Sequence, residues 1–217
     1  ELDSVSLAVK GKETPVLKDV SIKINTKDRL LIQGASGSGK TSLLKLIAGV
    51  ISPTMGSIYI NDKSLTSINV NSYRANIGQT LVEETPFEGT LLQNLTFGDT
   101  SITNQQIDWA IKNVGLKDFV KQLPNGLNTM LYPEGKGTSF TVAKKIMLAR
   151  SIIKQPKLLM LKEPLDQFEP NDAQQIIDFL SQPDHPWALV VVSQNNLWKT
   201  KLNRVITLDK GQIINNN

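Results

Sequence analysis

The feature that most constrains this chain is a glycine-rich loop between an apolar strand and an amphipathic helix. Residues 34–41 read GASGSGKT, which matches the pattern G-x-x-x-x-G-K-[ST]. The apolar run RLLIQ at 29–33 leads into the loop, and from Lys40 the apolar residues recur at helical spacing. Glycines let successive backbone N–H groups converge on one anion, and the helix adds its positive N-terminal end. The loop therefore predicts a binding site for the phosphate groups of a nucleotide.

The side chains within the loop also fit phosphate chemistry. Lys40 supplies a point charge for the terminal phosphates, and the Thr41 hydroxyl can ligate a magnesium ion. An accidental match in a chain of this length has a probability on the order of one percent. The predicted nucleotide-binding residues are Gly34, Ala35, Ser36, Gly37, Ser38, Gly39, Lys40, Thr41 and Ser42.

Composition narrows the class of protein. A chain of 217 residues with 40% hydrophobic residues can bury a sizeable core as one large domain. The absence of cysteine excludes a disulfide framework, a cysteine-ligated zinc site and a thiol nucleophile. The net charge of +4 is scattered, so we expect no nucleic-acid partner. We expect no membrane span in this sequence, because no apolar run approaches about 18 residues. We expect no secretory leader either, because the residues from Glu1 do not show a basic stretch followed by an apolar one.

The order of elements predicts an α/β core with an inserted helical block. Alternating strands are predicted at 5–9, 16–24 and 57–61, and uniformly apolar strands at 157–161 and 188–192. A helical block is predicted from about Thr85 to Gln155; within it, Thr103 and Gln106 form a capping-box pattern. Helices are predicted at 141–154 and 171–180, and a terminal hairpin at 205–214. Apolar strands joined by helices imply a parallel sheet.

Six segments of the chain carry a further resemblance: PVLKDVSIKI, RLLIQGASGSGKTSLLKLIAG, TMGSIYIND, PFEGTLLQNLTFGD, LPNGLNTMLYPEGKG and KKIMLARSIIKQPKLLMLKEP. Together they resemble the nucleotide-binding domain of ABC transporters of the exporter type. The first three resemble the opening of that domain, and the fourth resembles the exporter segment after the Q-loop. The fifth resembles the run before the signature, and the last resembles the signature helix and Walker B. A GTPase would carry an Asn-Lys-x-Asp motif, and the sequence has none.

The resemblance implies a fold, ligands and partners. The fold class is α/β, a P-loop NTPase with a RecA-like core, an antiparallel β-subdomain and an inserted α-helical subdomain. Residues 1–217 would form a single domain, with the core at about 1–84 and 156–217 and the helical subdomain at about 85–155. The implied ligand is ATP or ADP. The implied partners are a second nucleotide-binding domain, in a homodimer or a heterodimer, and the transmembrane domain of the same transporter. The implied location is the cytoplasmic face of a membrane, as a soluble domain of the transporter.

Outside the loop, the residues at the family's motif positions differ from those that the family usually has. The aromatic residue that stacks on adenine falls at Val9, and the Q-loop glutamine falls at Val82. In the signature, Ser139 is kept while Phe140 stands where the family has glycine. A side chain at that position should obstruct backbone approach to the phosphate, or turn away and reshape the segment.

The motifs after the signature are altered as well. Glu163 keeps the position of the residue that orients the attacking water and is the candidate catalytic residue. Lys162 stands where the family has the magnesium-supporting aspartate. The D-loop aspartate falls at Glu169 and the switch histidine at Gln194. A glutamine can donate a hydrogen bond to a phosphate but cannot carry the charge.

Lys162 bears directly on metal binding. An ammonium about 5 Å from a divalent cation would cost roughly 6–7 kcal/mol at an effective dielectric of about 20, before screening. That cost exceeds the roughly 1 kcal/mol gained from one ordinary hydrogen bond. Magnesium then binds weakly, or Lys162 points away, or its ammonium replaces the metal against the phosphates; an ion pair with Glu163 or another acid is a further alternative. We therefore do not expect tight magnesium binding.

Three functions remain open at this point. The first is an ATP-binding domain of an exporter-like transporter that couples nucleotide binding to transport with weak or absent hydrolysis. The second is an active ATPase driving export, which Glu163 would allow. The third is a scaffold that needs no nucleotide. Removing one preorganised group typically costs about 10²–10³ in rate, so several altered positions favour the first.

The remaining residues with chemical potential are expected to have no catalytic role. His185, the only histidine, lies between prolines and is expected to be a solvated loop residue. Trp109, Trp187 and Trp198 are expected to pack in the core or against a partner rather than stack on a nucleotide.

Overall fold

A mostly parallel sheet forms the centre of the protein. The structure is a computed structural model, and it describes residues 1–9, 11, 14–81, 84–132, 138–165 and 167–216. The strands are β1 (Leu2–Leu7), β2 (Leu17–Ile22), β3 (Arg29–Gln33), β4 (Met55–Ile60), β5 (Lys63–Ser64), β6 (Ile77–Thr80), β7 (Gly89–Thr90), β8 (Met130–Leu131), β9 (Leu158–Lys162), β10 (Ala188–Val192), β11 (Arg204–Asp209) and β12 (Gln212–Asn216). The helices are α1 (Lys40–Ile47), α2 (Val70–Arg74), α3 (Leu91–Thr96), α4 (Asn104–Asn113), α5 (Lys117–Gln122), α6 (Phe140–Ile152) and α7 (Pro170–Leu180).

The larger sheet has the strand order β12-β11-β3-β10-β9-β6 within the described ranges. Neighbouring strands from β11 to β6 are parallel, and β12 joins β11 as an antiparallel hairpin. Val192 on β10 lies opposite both Lys162 on β9 and Ile32 on β3. The predicted parallel sheet is confirmed, and its register brings the ends of these three strands to one edge.

The two faces of this sheet bury different elements. Leu159 and Leu161 of β9 belong to an apolar cluster that includes the buried side of α6 and α7. Met160, between them, belongs to a second cluster that contains the buried side of α1 and the smaller sheet. This alternation follows from the two-residue period of a strand. The sheet is therefore covered on both faces, as its uniformly apolar strands predict.

The smaller sheet is antiparallel, with the order β2-β1-β4-β5. Its first strand was predicted at 5–9, and this prediction is wrong in its bounds. Pairing of Leu2 with Ile22 and Ile58 starts the strand earlier, and the pairing ends at Leu7. Val9 therefore lies beyond the strand, with 44% of its surface exposed.

The helical block contains a short sheet that the sequence did not predict. Strands β7 and β8 are antiparallel, and Gly89 lies opposite Leu131. The capping box of Thr103 and Gln106 is confirmed at the start of α4. Helix α6 begins one residue earlier than predicted, because the Ser139 hydroxyl accepts a hydrogen bond from the Val142 amide. The subdomain boundaries at about 84 and 156 stay a prediction.

The tryptophans pack inside the protein, as expected. Trp187 and Trp198 are fully buried, and Trp109 packs against the helical cluster. His185, in contrast, is not a solvated loop residue. Its ring stacks on Trp187 at a centroid distance of 4.0 Å, and its Nε2 lies 2.8 Å from the Phe179 carbonyl oxygen. The Trp187 indole supplies a flat apolar surface on which the imidazole becomes half-buried.

None of the helices in the described ranges has the length and hydropathy needed to cross a bilayer.

Candidate nucleotide-binding site

The glycine-rich loop turns tightly between the end of β3 and the start of α1. Gly34 has φ 145°, and a Cβ atom there would lie 2.1 Å from the Leu208 carbonyl oxygen. Gly39 has φ 104°, and a Cβ atom there would lie 2.7 Å from Leu17 Cδ2. Both positions combine a backbone conformation that favours glycine with close contact to the sheet. The loop is thus held against β11 and β2 while residues 35–37 face solvent.

Lys40 is the first residue of α1, and its side chain folds back over the loop. Its Nζ donates to the carbonyl oxygens of Gly34 and Ala35, each at 2.7 Å. Burial lowers the pKa of the Lys40 ammonium; Glu163 works in the opposite direction, and the charge of Lys162 lowers it further. Lys40, Lys162 and Glu163 are therefore electrostatic neighbours.

The carboxyl ends of β9 and β10 are linked to the loop by hydrogen bonds. The Gln194 side-chain Nε2 donates to the Gly34 carbonyl oxygen at 2.8 Å, and the Gln194 backbone amide donates to Glu163 Oε2 at 3.4 Å. The Glu163 amide donates to the Val192 carbonyl oxygen at 2.8 Å. Glu163 has φ 41°, a left-handed conformation that is uncommon outside glycine and is found at functional sites. A ligand crevice is expected at the carboxyl ends of such strands.

The other predicted positions do not all lie at this edge. Ser139 caps α6, and Phe140 occupies the first turn of that helix with 48% of its surface exposed. Lys144 Nζ lies 5.4 Å from the centre of the Phe140 ring. Glu169 is exposed, and its backbone carbonyl accepts the first hydrogen bond of α7. The helix start at Phe140 is regular, so this side chain turns outward rather than reshaping α6.

Val82 and Val9 are the two remaining predicted positions. Val82, the predicted Q-loop position, lies outside the described residues. Val9 is described and exposed beyond the end of β1. The roles of these and the other predicted site residues stay predictions.

Sequence reasoning missed a second group of interacting residues, around Arg150 on α6. Arg150 Nε donates to the Asn94 carbonyl oxygen at 2.6 Å, and the guanidinium stacks 4.2 Å from the centre of the Phe97 ring. Asn94 is fully buried and bridges both backbone groups of Phe87. The sequence feature that could have indicated this group is the motif PFEGTLLQNLTFGD, which contains Phe87, Asn94 and Phe97. This group ties α3 to α6.

Metal-ligating side chains do not cluster in the part of the chain that the structure describes: His, Cys, Asp and Glu form no group of three or more there that could hold a metal ion. Of the described groups beside the loop, Ser38 Oγ lies 3.5 Å from Lys40 Nζ, and Glu163 and Lys162 are electrostatic neighbours of Lys40. Thr41, the predicted metal ligand, is the second residue of α1.

The sheet, the loop and the groups at its edge define an α/β nucleotide-binding domain of the P-loop NTPase class. The chain belongs to the ABC transporter family, whose family model matches residues 17–166. Several proteins that it is similar to in that family are named as ATP-binding, permease or efflux proteins.

The chain is similar to parts of several longer proteins. It is 29% identical over 209 residues to the ATP-dependent permease MDL1 of Candida albicans, covering 93% of this chain and 30% of the permease. It is 26% identical over 214 residues to the ABC transporter ATP-binding protein YfiB of Bacillus subtilis, covering 99% of this chain and 37% of YfiB. It matches the solved structure of a bacterial Atm1-family ABC exporter with ATP bound at a TM-score of 0.91 and 22% identity, covering 100% of this chain and 38% of the exporter chain. The chain thus spans about a third of these relatives.

Proposed function

We propose that this domain binds ATP through residues 34–42 and hydrolyses it slowly, so that nucleotide binding rather than rapid turnover drives its part in transport. Its proposed partners are a second nucleotide-binding domain and a transmembrane domain of the same exporter. Its proposed location is the cytoplasmic face of a membrane. ADP would occupy the same loop with fewer phosphate contacts.

One observation carries the proposal: Lys40 and Gln194 both donate to the Gly34 carbonyl oxygen, and Glu163 is linked to both of them, as an electrostatic neighbour of Lys40 and as the acceptor of the Gln194 backbone amide. Backbone N–H groups of a glycine-rich turn and the N-terminal end of α1 attract phosphate oxygens. Lys40 adds a mobile ammonium that can exchange its two carbonyl acceptors for phosphate oxygens. The loop and the start of α1 therefore supply the main attraction for the phosphate groups.

Slow hydrolysis is supported by the kinds of side chain at the edge. Phosphoryl transfer depends on positioning and on electrostatic stabilisation of the transferred group. Glu163 can orient a water molecule, but its carboxylate also accepts the Gln194 amide. The Gln194 side chain offers a hydrogen bond without charge, and Lys162 brings a positive charge where a carboxylate would hold a metal. Loss of one preorganised group costs about 10²–10³ in rate, so even one of these changes is enough for slow turnover.

The residues beside the loop do not fit the magnesium ion that this family normally uses. Thr41 offers a hydroxyl oxygen, but magnesium sites in such proteins also use carboxylates, and the nearby Glu163 carboxylate already accepts the Gln194 backbone amide. The half-buried Lys162 places an ammonium at the end of β9 instead. We therefore assign no step of the chemistry to a metal.

Calorimetric titration with ATP, beside a phosphate-release assay, tests the proposal. We expect measurable ATP binding that Lys40→Ala abolishes, together with turnover far below one per second. Lys45→Ala, in the last turn of the same helix, is the matched control and should bind as wild type does. Turnover at ordinary enzyme rates, abolished by Lys40→Ala, would establish an active ATPase instead. No binding at millimolar ATP would favour the scaffold.

Glu163→Gln separates binding from hydrolysis. The amide oxygen of glutamine can still accept the Gln194 backbone hydrogen bond, so we expect ATP affinity to change by less than about threefold. Loss of a general base typically costs about 10²–10⁴ in rate, so any residual phosphate release should fall by at least about tenfold. Residual release that is unchanged would remove Glu163 from the chemistry.

A further inference from the structure

Lys162 lies at the same edge of the sheet as the glycine-rich loop. It is the last residue of β9, it pairs with Val192 of β10, and Val192 in turn pairs with Ile32 of β3. Gln33 is the only residue between Ile32 and the loop. Because neighbouring strands are roughly 4.8 Å apart, Lys162 and Ile32 are separated by about 10 Å across the sheet.

The side chain of Lys162 is on the face of the sheet that α1 covers. Met160, two residues earlier on β9, belongs to the apolar cluster that includes α1, whereas Leu161 belongs to the cluster on the opposite face. Alternation along a strand gives Lys162 the face of Met160. Helix α1 begins at Lys40, directly after the loop. The two lysines thus approach the same space from the strand and from the helix.

The charges of the described residues in this space sum to a positive value. Lys40 and Lys162 carry two ammonium groups, and the adjacent Glu163 carries one carboxylate. The Glu163 carboxylate already accepts the Gln194 backbone amide. The loop amides and the N-terminal end of α1 add further positive potential. A polyphosphate is attracted to this arrangement, whereas a divalent cation is repelled by it.

We propose that the Lys162 ammonium takes the place of the divalent metal, so that this site binds metal-free nucleoside polyphosphate in preference to its magnesium complex. The inference rests on the proposed binding of nucleotide by residues 34–42. Magnesium weakens binding in two ways. The magnesium complex of a triphosphate carries less negative charge than the free triphosphate, and its metal would have to lie near the Lys162 ammonium. A charge-assisted hydrogen bond from Lys162 to a phosphate oxygen replaces the lost metal contact.

ATP titration calorimetry on the protein tests this inference, with excess EDTA in one series and excess magnesium chloride in the other, at equal ionic strength. Wild type should bind ATP at least about fivefold more tightly in EDTA, since one charge-assisted contact changes affinity by that order. Lys162→Asp should bind more weakly than wild type in EDTA and should gain affinity when magnesium is added. Lys157→Asp is the matched control, because it makes the same charge change at the exposed, opposite end of β9. It should behave as wild type in both series.

A second variant keeps the inference testable if Lys162→Asp does not fold. Lys162→Gln removes the charge while keeping a long polar side chain, and it should lose at least about tenfold in EDTA affinity. Tighter wild-type binding with magnesium than with EDTA would overturn the inference while leaving nucleotide binding intact. Equal wild-type affinities in the two series, or a Lys162→Gln variant with unchanged affinity, would also overturn it. Absence of wild-type binding in both series would overturn the proposed function and this inference together.

Discussion

The Gln194 side chain and the Gly34 carbonyl group join the end of β10 to the start of the phosphate-binding loop, at a distance of 2.8 Å. The same carbonyl oxygen accepts the Lys40 ammonium at 2.7 Å. Gly34 therefore connects Lys40, at the start of the loop's own helix, with Gln194, which follows the distant strand β10. A contact of this kind fixes the loop before a ligand arrives, which reduces the entropic cost of binding.

Gln194→Ala tests this role of the hydrogen bond. We expect ATP affinity to fall about fivefold, because one hydrogen bond contributes about 1 kcal/mol. The stability of the protein should change little, since Gln194 is exposed. Gln105→Ala, an exposed glutamine on α4, is the control and should leave the affinity unchanged. Calorimetry measures both, and equal affinities for wild type and Gln194→Ala would contradict the role assigned to Gln194.

A pair of glycine substitutions separates backbone strain from collision within the loop. In Gly37→Ala the new methyl group meets no heavy atom within 4 Å, so the cost is that of φ 79° alone, about 1–2 kcal/mol. In Gly34→Ala the methyl group meets the Leu208 carbonyl oxygen at 2.1 Å, and we expect a loss of at least about 3 kcal/mol. Urea unfolding without nucleotide measures both values. Equal losses would show that β11 does not hold the loop.

The sequence predicted those elements whose pattern is local. Strand β10 has the predicted bounds, Ala188–Val192, because every one of its side chains is apolar and buried. The cap of α4 was predicted because its two partners, Thr103 and Gln106, lie three residues apart. The bounds of β1 were wrong, because pairing with Ile22 and Ile58 decides where that strand begins.

Residue patterns alone predicted the candidate site only as far as the loop, and the positions of Lys162, Glu163 and Gln194 came from the family resemblance. The contact between Gln194 and Gly34 depends on the parallel register of β10 with β3, and these residues are 160 positions apart. The stacking of Arg150 on Phe97 depends in the same way on how α6 packs beside α3. Neither the charge of Lys162 nor its position on a predicted strand indicates on which face of the sheet its side chain lies. These relationships come from tertiary packing, which cannot be predicted from a residue pattern along the sequence.

The stability of the protein should depend on the protonation of His185. Burial is the largest cause that lowers the pKa of its imidazole; the Phe179 carbonyl opposes the shift, Arg29 adds to it and Asp184 opposes it. The unfolded chain then binds a proton more readily, with a pKa of about 6.5. The free energy of unfolding should therefore be highest above pH about 6.5 and should decrease as the pH falls from there to the lowered pKa of the folded protein.

His185→Phe keeps a flat ring for stacking on Trp187 and removes the titration, since the chain has no other histidine. Urea unfolding at pH 7.5 and pH 5.5 should show a smaller decrease for this variant than for wild type. Parallel decreases in the two proteins would assign the pH dependence to other groups.

Arg150 should be one of the most sensitive positions outside the loop. Its side chain is 12% exposed, it donates to the carbonyl oxygen of the buried Asn94, and it stacks on Phe97. Arg150→Ala leaves that carbonyl without its guanidinium donor and removes the cation–π contact, so we expect a loss of about 3 kcal/mol in the free energy of unfolding. Arg150→Lys keeps the charge but not the planar fork and should lose about half as much. Arg74→Ala, an exposed arginine on α2, is the control and should lose less than about 1 kcal/mol in urea unfolding. A loss for Arg150→Ala no larger than that of the control would show that the Arg150 contacts do not hold α3 against α6.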